Sequence, residues 1–281
     1  MLGELNPDSV EWKAGMAQHV RMARSPSGES LLTRVDRILA ALDADNPTRT
    51  VAETARVARL PVATTHRLVN ELVELGYLER TPARRVRLGV RLWELASRGS
   101  RTTSLREAAM PIMEDVHAVV GHHTQLGVRD RHEVLYLERL STRGGSRNII
   151  RVAGRLPAHA CSSGIVLLAH APADVQEDVL AGPLPRYTQR TPSDPRTLRR
   201  LLADTRRQGY TIAAGLITEG ATGVAVPIRG PRDEVVAALS IVVPSGDGNA
   251  PAQISALLAA ARAISRALGA HPRLDADLTS L

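Results

Sequence analysis

The apolar positions between Thr48 and Leu88 change period twice, and the changes outline a small folded unit. Val51, Ala55 and Ala58 recur at helical spacing. They follow Thr50 and Glu53, a T-x-x-E pair in which the Thr50 side chain caps the helix and Glu53 reaches back to the Thr50 amide. This helix stops at Arg59-Leu60-Pro61, because proline cannot continue a helix yet suits the first turn of the next one. A second helix is expected from Pro61 to Leu75, closed by Gly76. Its Thr65, Leu68, Val69, Leu72 and Leu75 share one face and are expected to be buried. Beyond it the period falls to two. Tyr77 to Arg80 reads as a strand, Pro82-Ala83-Arg84 as a turn and Arg85 to Leu88 as the returning strand, with Val86 and Leu88 inward and Arg85 and Arg87 outward.

The pattern extends in both directions. Residues 1–28 read as a tail in which Val10 to Ala23 has the spacing of a short amphipathic helix. Glu29 to Ala44 is a helix whose Leu31, Leu32, Val35, Ile38, Leu39 and Leu42 are expected to cover the helix pair. Leu88 to Arg98 is another, with Leu92, Leu95 and Ala96 on one side and Trp93 expected to pack, possible ground for a subunit contact. Small and polar residues from Gly99 to Ser104 suggest a joint.

From Leu105 the texture changes. A helix to Val120, broken or started by Pro111, precedes strands at Thr124 to Val128, Val134 to Leu140 and Asn148 to Val152. Helices at Ser162 to Ala171, Ala173 to Leu180 and Pro195 to Gln208 follow, the last capped by Gly209. Strands at Tyr210 to Ala213, Thr222 to Ile228 and Glu234 to Val243 lead to a closing helix, Ala250 to Leu268. Helices at both ends of a largely antiparallel sheet imply an α+β domain. The expected divisions are 1–28, 29–90, 91–104, 105–270 and 271–281.

The exposed face of the Pro61–Leu75 helix suggests what the first unit touches. In a helix-turn-helix the first two turns of the second helix reach base edges, which singles out Ala63, Thr64, His66, Arg67 and Asn70. Arginine can donate twice to guanine and asparagine can pair with adenine. Arg80, Arg84, Arg85, Arg87 and Arg91 follow within a dozen residues with no acid among them. Of these, Arg84, Arg85 and Arg87 are placed to lie along phosphates. An ordinary helical hairpin with a solvated arginine strand would show part of the same pattern.

Composition adjusts this picture modestly. A net charge of +7 favours a polyanionic partner. Lys13 is the only lysine and phenylalanine is absent, a bias that points to a GC-rich coding genome and discounts arginine abundance by itself. Cys161 stands alone, so no intramolecular disulfide or cysteine-based zinc cluster is available. No apolar run is long enough to span a membrane and no signal peptide is legible, so a cytoplasmic chain without a membrane partner or cofactor is expected.

Three further groupings invite chemistry. Cys161 beside Ser162-Ser163, with His159 close in sequence, resembles a nucleophile but lacks a G-x-S-x-G elbow. His122, His123, Asp130, His132 and Glu133 could supply metal ligands, or simply form a helix end and a hairpin. Thr142-Arg143-Gly144-Gly145-Ser146-Arg147 lacks the ending of a phosphate loop and reads as a connection, or as a lid.

With these residues in hand, the chain resembles the IclR family of bacterial transcriptional regulators from about Glu29 to Gly269. The resemblance rests on LPVATTHRLVNELVELGYLER and RLGVRLWELA in the first part. In the second it rests on RLPAHACSSGIVLLAHAP, on RRQGYTIAAGLITEGATGVAVPIRGPRDEVVAALSIVVP and on the closing helix. It implies an α+β fold with an N-terminal winged helix-turn-helix joined by a linker helix to a GAF-like α+β effector-binding domain. It also implies a homodimer or dimer of dimers acting on a double-stranded DNA operator. By matched motif, Leu156, Ser162, Ser163, Gly164, Gly223, Ser240 and Val242 would line the effector pocket.

The departures are informative. Family members that bind small oxo-acids carry cysteine where this chain has Gly223, a second serine at Val242, an acid near Ala213 or Ala214 and often lysine at Ile165. An effector bulkier and less polar than glyoxylate or pyruvate is therefore expected. The helix-turn-helix turn commonly carries glycine where Arg59 stands, so a left-handed backbone there would be harder to hold. The reading is a sequence-specific DNA-binding regulator whose operator affinity answers to a small molecule, with the Gly99–Ser104 joint transmitting the response. The alternatives are a metabolite-binding or metal-sensing module, or an enzyme, that uses the winged helix for protein contact.

Overall fold

The computed structural model describes residues 29–98, 101–141, 152–246 and 250–270, which fall into two compact units divided after Ser100. The tails, Gly99, Ser100, the Thr142–Arg147 connection and the expected strand from Asn148 (except Val152) lie outside the described residues.

In the first unit, α1 (Leu31–Ala40) packs on α2 (Val51–Ala58) and α3 (Val62–Glu74), followed by β1 (Leu78–Arg80), β2 (Val86–Leu88) and α4 (Val90–Ser97). The capping box is formed: the Thr50 side chain accepts from the Glu53 amide, and Glu53 accepts from the Thr50 amide. Arg59 takes the left-handed conformation at φ 53° and ends α2. Arg37 of α1 donates to the carbonyls of Ala58 and Arg59, satisfying acceptors that the helix end leaves open. Ile38, Leu68, Val69, Leu72, Leu78 and Val86 form the core.

Several expected inward residues are not inward. Leu75 is 61% exposed at the C-cap of α3, and Leu31 and Leu32 lie exposed at the start of α1. Leu88 is 46% exposed at the end of the two-stranded ladder, although its partner Leu78 is buried. Helix α4 buries no residue, and Trp93, expected to pack, is 71% exposed.

The second unit is a six-stranded antiparallel sheet in the order β5-β4-β3-β8-β7-β6. Its strands are β3 (His123–Asp130), β4 (Glu133–Leu140), β5 (Arg155–Pro157), β6 (Thr211–Ala214), β7 (Ala221–Arg229) and β8 (Val235–Pro244). The sequence pattern did not reveal β5. Helices α5 (Arg101–Val120) and α9 (Ala250–Ala267) cover one face; α6 (Ser162–Ala169), α7 (Ala173–Ala181) and α8 (Pro195–Gln208) lie on the other. Residues 101–104, expected within a joint, form the first turn of α5, and Pro111 sits inside that helix.

Alternation along the central strands sets the thickness of each side. Val224, Val226, Ile228, Leu239 and Ile241 belong to the core beneath α5 and α9. Ala225 and Ala238 belong to the core on the α6 side. Small side chains there let α6 approach closely. A Cβ on Gly164 would lie 2.2 Å from the Ala158 carbonyl oxygen, so only glycine fits that crossing.

Candidate functional site

The exposed face of α3 presents Ala63, His66 and Arg67 to solvent, with Thr64 and Asn70 half-buried. Arg67 pairs with Glu71 one turn on, at 2.6 Å between two exposed side chains. Such a pair contributes little in water and is readily exchanged for a base or phosphate. Asn70 accepts from Arg80 at 2.6 Å and so ties α3 to β1. His66 Nδ1 lies 3.5 Å from Asn70 Nδ2.

The wing arginines differ among themselves. Arg84 sits at the turn with φ 54°, exposed, and makes no ion pair among the described residues. Arg87 is exposed but paired with Glu79 at 2.8 Å. Arg85, expected to point outward, folds back instead. It donates to Thr48 and lies 2.9 Å from Glu53, which already caps α2. The backbone completes the tie, since Arg49 and Val86 exchange hydrogen bonds of 3.1 and 2.7 Å.

In the second unit, a cavity of about 70 Å³ lies between the sheet and the start of α6. Its walls are Gln125, Tyr136, Leu156, Ala160, Cys161, Ser162, Ala213, Leu216, Ile217, Thr218, Ala221, Gly223 and Val242. None of these side chains carries a formal charge at neutral pH. The volume suits roughly two waters, so an organic guest enters only as the walls give. One wall is the β6–β7 loop, closed by backbone bonds between Gly215 and Ala221 and between Ala221 and Thr218, with the carbonyls of Gly215 and Leu216 accepting from Thr188 and Thr191 at 2.6 Å each.

Of the seven residues matched by motif, Leu156, Ser162, Gly223 and Val242 line this cavity. Ser163, Gly164 and Ser240 lie behind it. Ser163 Oγ donates to Ser240 Oγ at 2.9 Å, pinning α6 to β8, and Gly164 serves the Ala158 crossing. Gln125, Tyr136, Cys161 and the Leu216–Thr218 segment were not nominated from the sequence. Strand register brings Gln125 opposite Ser240 and Tyr136 opposite Gly127, which no local pattern reveals. The available signal was a glutamine flanked by Thr124 and Leu126 in the first half of an expected strand.

The other groupings resolve differently. Cys161 is buried as the N-cap of α6, and burial pushes its thiol up to about 11, where it is a poor nucleophile. Burial lowers the pKa of His159, whose Nε2 bonds the Pro185 carbonyl at 3.0 Å rather than the thiol. His123 and Asp130 stand at opposite ends of β3, roughly 23 Å apart at 3.3 Å per residue. Asp130 and Glu133 pair with Arg155, and His132 with Asp178, so these groups do not converge on a metal.

Residues 100–266 match the domain described as bacterial transcriptional regulator IclR C-terminal, and residues 31–82 match the IclR helix-turn-helix domain. The chain belongs to the IclR family. It is 49% identical to an IclR homolog from Microbacterium hydrocarbonoxydans, solved in complex with 4-hydroxybenzoate, over 85% of this chain and 99% of that one, with a TM-score of 0.80. It is 30% identical to the HTH-type transcriptional regulator BhcR of Paracoccus denitrificans, covering 86% of this chain and 88% of that protein. The HTH-type transcriptional regulator XynR of Escherichia coli is 29% identical over 75% of this chain and 86% of its own length. As an IclR-family transcriptional regulator, the chain joins a DNA-binding helix-turn-helix to an α+β effector-binding domain.

Proposed function

We propose that this regulator answers to an aromatic monocarboxylate of the hydroxybenzoate class. The observation that carries the reading is the uncharged, largely apolar cavity at the start of α6, opened by Gly223, Ala213 and Val242 where oxo-acid binders are polar. A guest carboxylate would be met at the N-terminus of α6 beside Ser162, the α6 residue that lines the cavity. The 4-hydroxybenzoate complex of the Microbacterium homolog supports the same class.

On the DNA side, Arg67 is the leading base reader, with Ala63, Thr64, His66 and Asn70 beside it and Arg84 and Arg87 on phosphates. The protein acts in the cytoplasm as a homodimer or dimer of dimers and performs no catalysis. Exposed Val90 and Trp93, one turn apart on α4, give that helix an uncovered apolar face that supports pairing of the DNA-binding units. Effector coupling of this kind typically amounts to about 1–3 kcal/mol.

The test is a mobility-shift titration on the DNA flanking the gene, with and without 4-hydroxybenzoate, beside calorimetry. Selective, salt-sensitive DNA binding that shifts about 5- to 150-fold with 4-hydroxybenzoate is expected. Tight binding of glyoxylate or pyruvate with no response to 4-hydroxybenzoate would overturn the effector class.

A further inference from the structure

We infer that Gln125 is a specificity-determining residue of the cavity, donating its side-chain amide to an acceptor oxygen of the guest. The inference rests on the reading of this cavity as the effector site.

Gln125 lies on β3 near the sheet's centre, 1% exposed, and lines the cavity. Its Oε1 accepts from Ser240 Oγ at 3.5 Å, and Ser240 in turn accepts from Ser163. This chain of donors turns the carbonyl end of the amide away from the cavity. The Nε2 end has no hydrogen-bond partner among the described residues. A buried amide donor without a partner is destabilising, and native chains seldom retain one without use. A leucine of similar size would fill the same space with no unpartnered donor, giving up only the long 3.5 Å bond from Ser240, so an uncompensated amide here points to a partner that arrives with the ligand.

The chemistry of the partner follows from the group. An amide NH₂ only donates, so the guest atom must carry lone pairs. A carboxylate or phenol oxygen qualifies and an ammonium does not. The neighbouring walls supply no cation, which leaves neutral donors and the N-terminus of α6 to hold an anion. Ser163 and Ser240 are positioning residues in this scheme. They fix the orientation of the Gln125 amide without reaching the guest.

The experiment compares wild-type protein with Gln125→Leu and Gln125→Glu in the full chain, using 4-hydroxybenzoate and benzoate as probes. Calorimetry reads affinity, and thermal unfolding reads stability without ligand. Gln125→Leu is expected to bind 4-hydroxybenzoate roughly 10- to 100-fold more weakly, the range for a lost hydrogen bond to a charged or strongly polar acceptor. It is expected to unfold, ligand-free, no lower than wild type. Gln125→Glu sets a carboxylate against an anionic guest and is expected to lose more. A loss for 4-hydroxybenzoate alone assigns the ring oxygen to Gln125; equal losses for both probes assign the carboxylate. Gln125→Leu binding both probes like wild type, or unfolding several degrees lower without ligand, overturns the inference. Failure of wild type to bind either probe is a separate result. It removes the proposed effector class, while the ligand-free melting still decides whether the amide is a structural pin.

Discussion

The Arg85 guanidinium lies 2.9 Å from a Glu53 carboxylate oxygen, so the wing's returning strand is fastened to the first turn of the helix that precedes the recognition helix. Arg85 therefore faces back into the unit, whereas Arg84 is exposed at the wing tip and makes no ion pair among the described residues. The two arginines are expected to separate in a salt titration. Arg84→Ala lowers the slope of log affinity against log salt by about one. Arg85→Ala weakens binding with the slope nearly unchanged and lowers the melting temperature. Equal slopes in the two variants would show that both touch the backbone of the DNA.

Arg59 holds a left-handed backbone without glycine's freedom, at a conformational cost of about 1–2 kcal/mol. Glycine recovers that cost and gives back about half of it through the unfolded chain. Arg59→Gly is therefore expected to raise the melting temperature of the DNA-binding unit by a few degrees. Arg59→Val, β-branched and poorly suited to positive φ, is expected to lower it. Circular dichroism melts of both variants check the ordering.

The same unit carries an acid-sensitive tie. The hydrogen bond from the Thr50 amide, assisted by Arg85 and opposed by burial, holds Glu53 below its ordinary value of 4.5. Because the folded value is the lower one, the carboxylate's contribution is fully present above the ordinary value and is lost as pH falls through the lowered one. Thermal unfolding between pH 7 and pH 3 is expected to be less steeply pH-dependent in Glu53→Gln than in wild type. Parallel profiles would remove Glu53 from the acid response.

Gly223 governs the room beneath α6. A Cβ there would come 2.6 Å from Ser162 Oγ, so any side chain displaces the serine and fills the cavity. Gly223→Cys is expected to weaken 4-hydroxybenzoate binding roughly tenfold or more. Combined with Val242→Ser, which adds a donor, it is expected to shift preference toward small oxo-acids. Unchanged ligand ranking by calorimetry would place the guest elsewhere.

Local chemistry was legible where it was self-contained. Thr50 and Glu53 announced their capping box, Pro195 and Gly209 bounded α8, and Gly76 ended α3, because each device spans only a few residues. Leu75 and Leu88 misled because periodicity reports which face is apolar, not whether a neighbour covers it. Arg85 misled for a related reason: alternation put it outward, but the Thr48 carbonyl and Glu53 turned it back. The cavity was half legible. Ser162 and Gly223 sit in recognisable motifs, while Gln125 and Tyr136 join them only through sheet register.

That register has a consequence for the life of the protein in a cell. The walls of the cavity run from Gln125 to Val242, and no single segment holds a usable part of them. A guest therefore binds only the fully assembled sheet and, by mass action, shelters it from unfolding, by about 2.7 kcal/mol at 100 times its dissociation constant. Proteases act on opened chains, so the regulator is expected to turn over more slowly when its effector is plentiful, a difference that pulse-chase labelling would reveal or refute. The metabolite would then set how much regulator a cell keeps as well as how tightly each copy holds DNA.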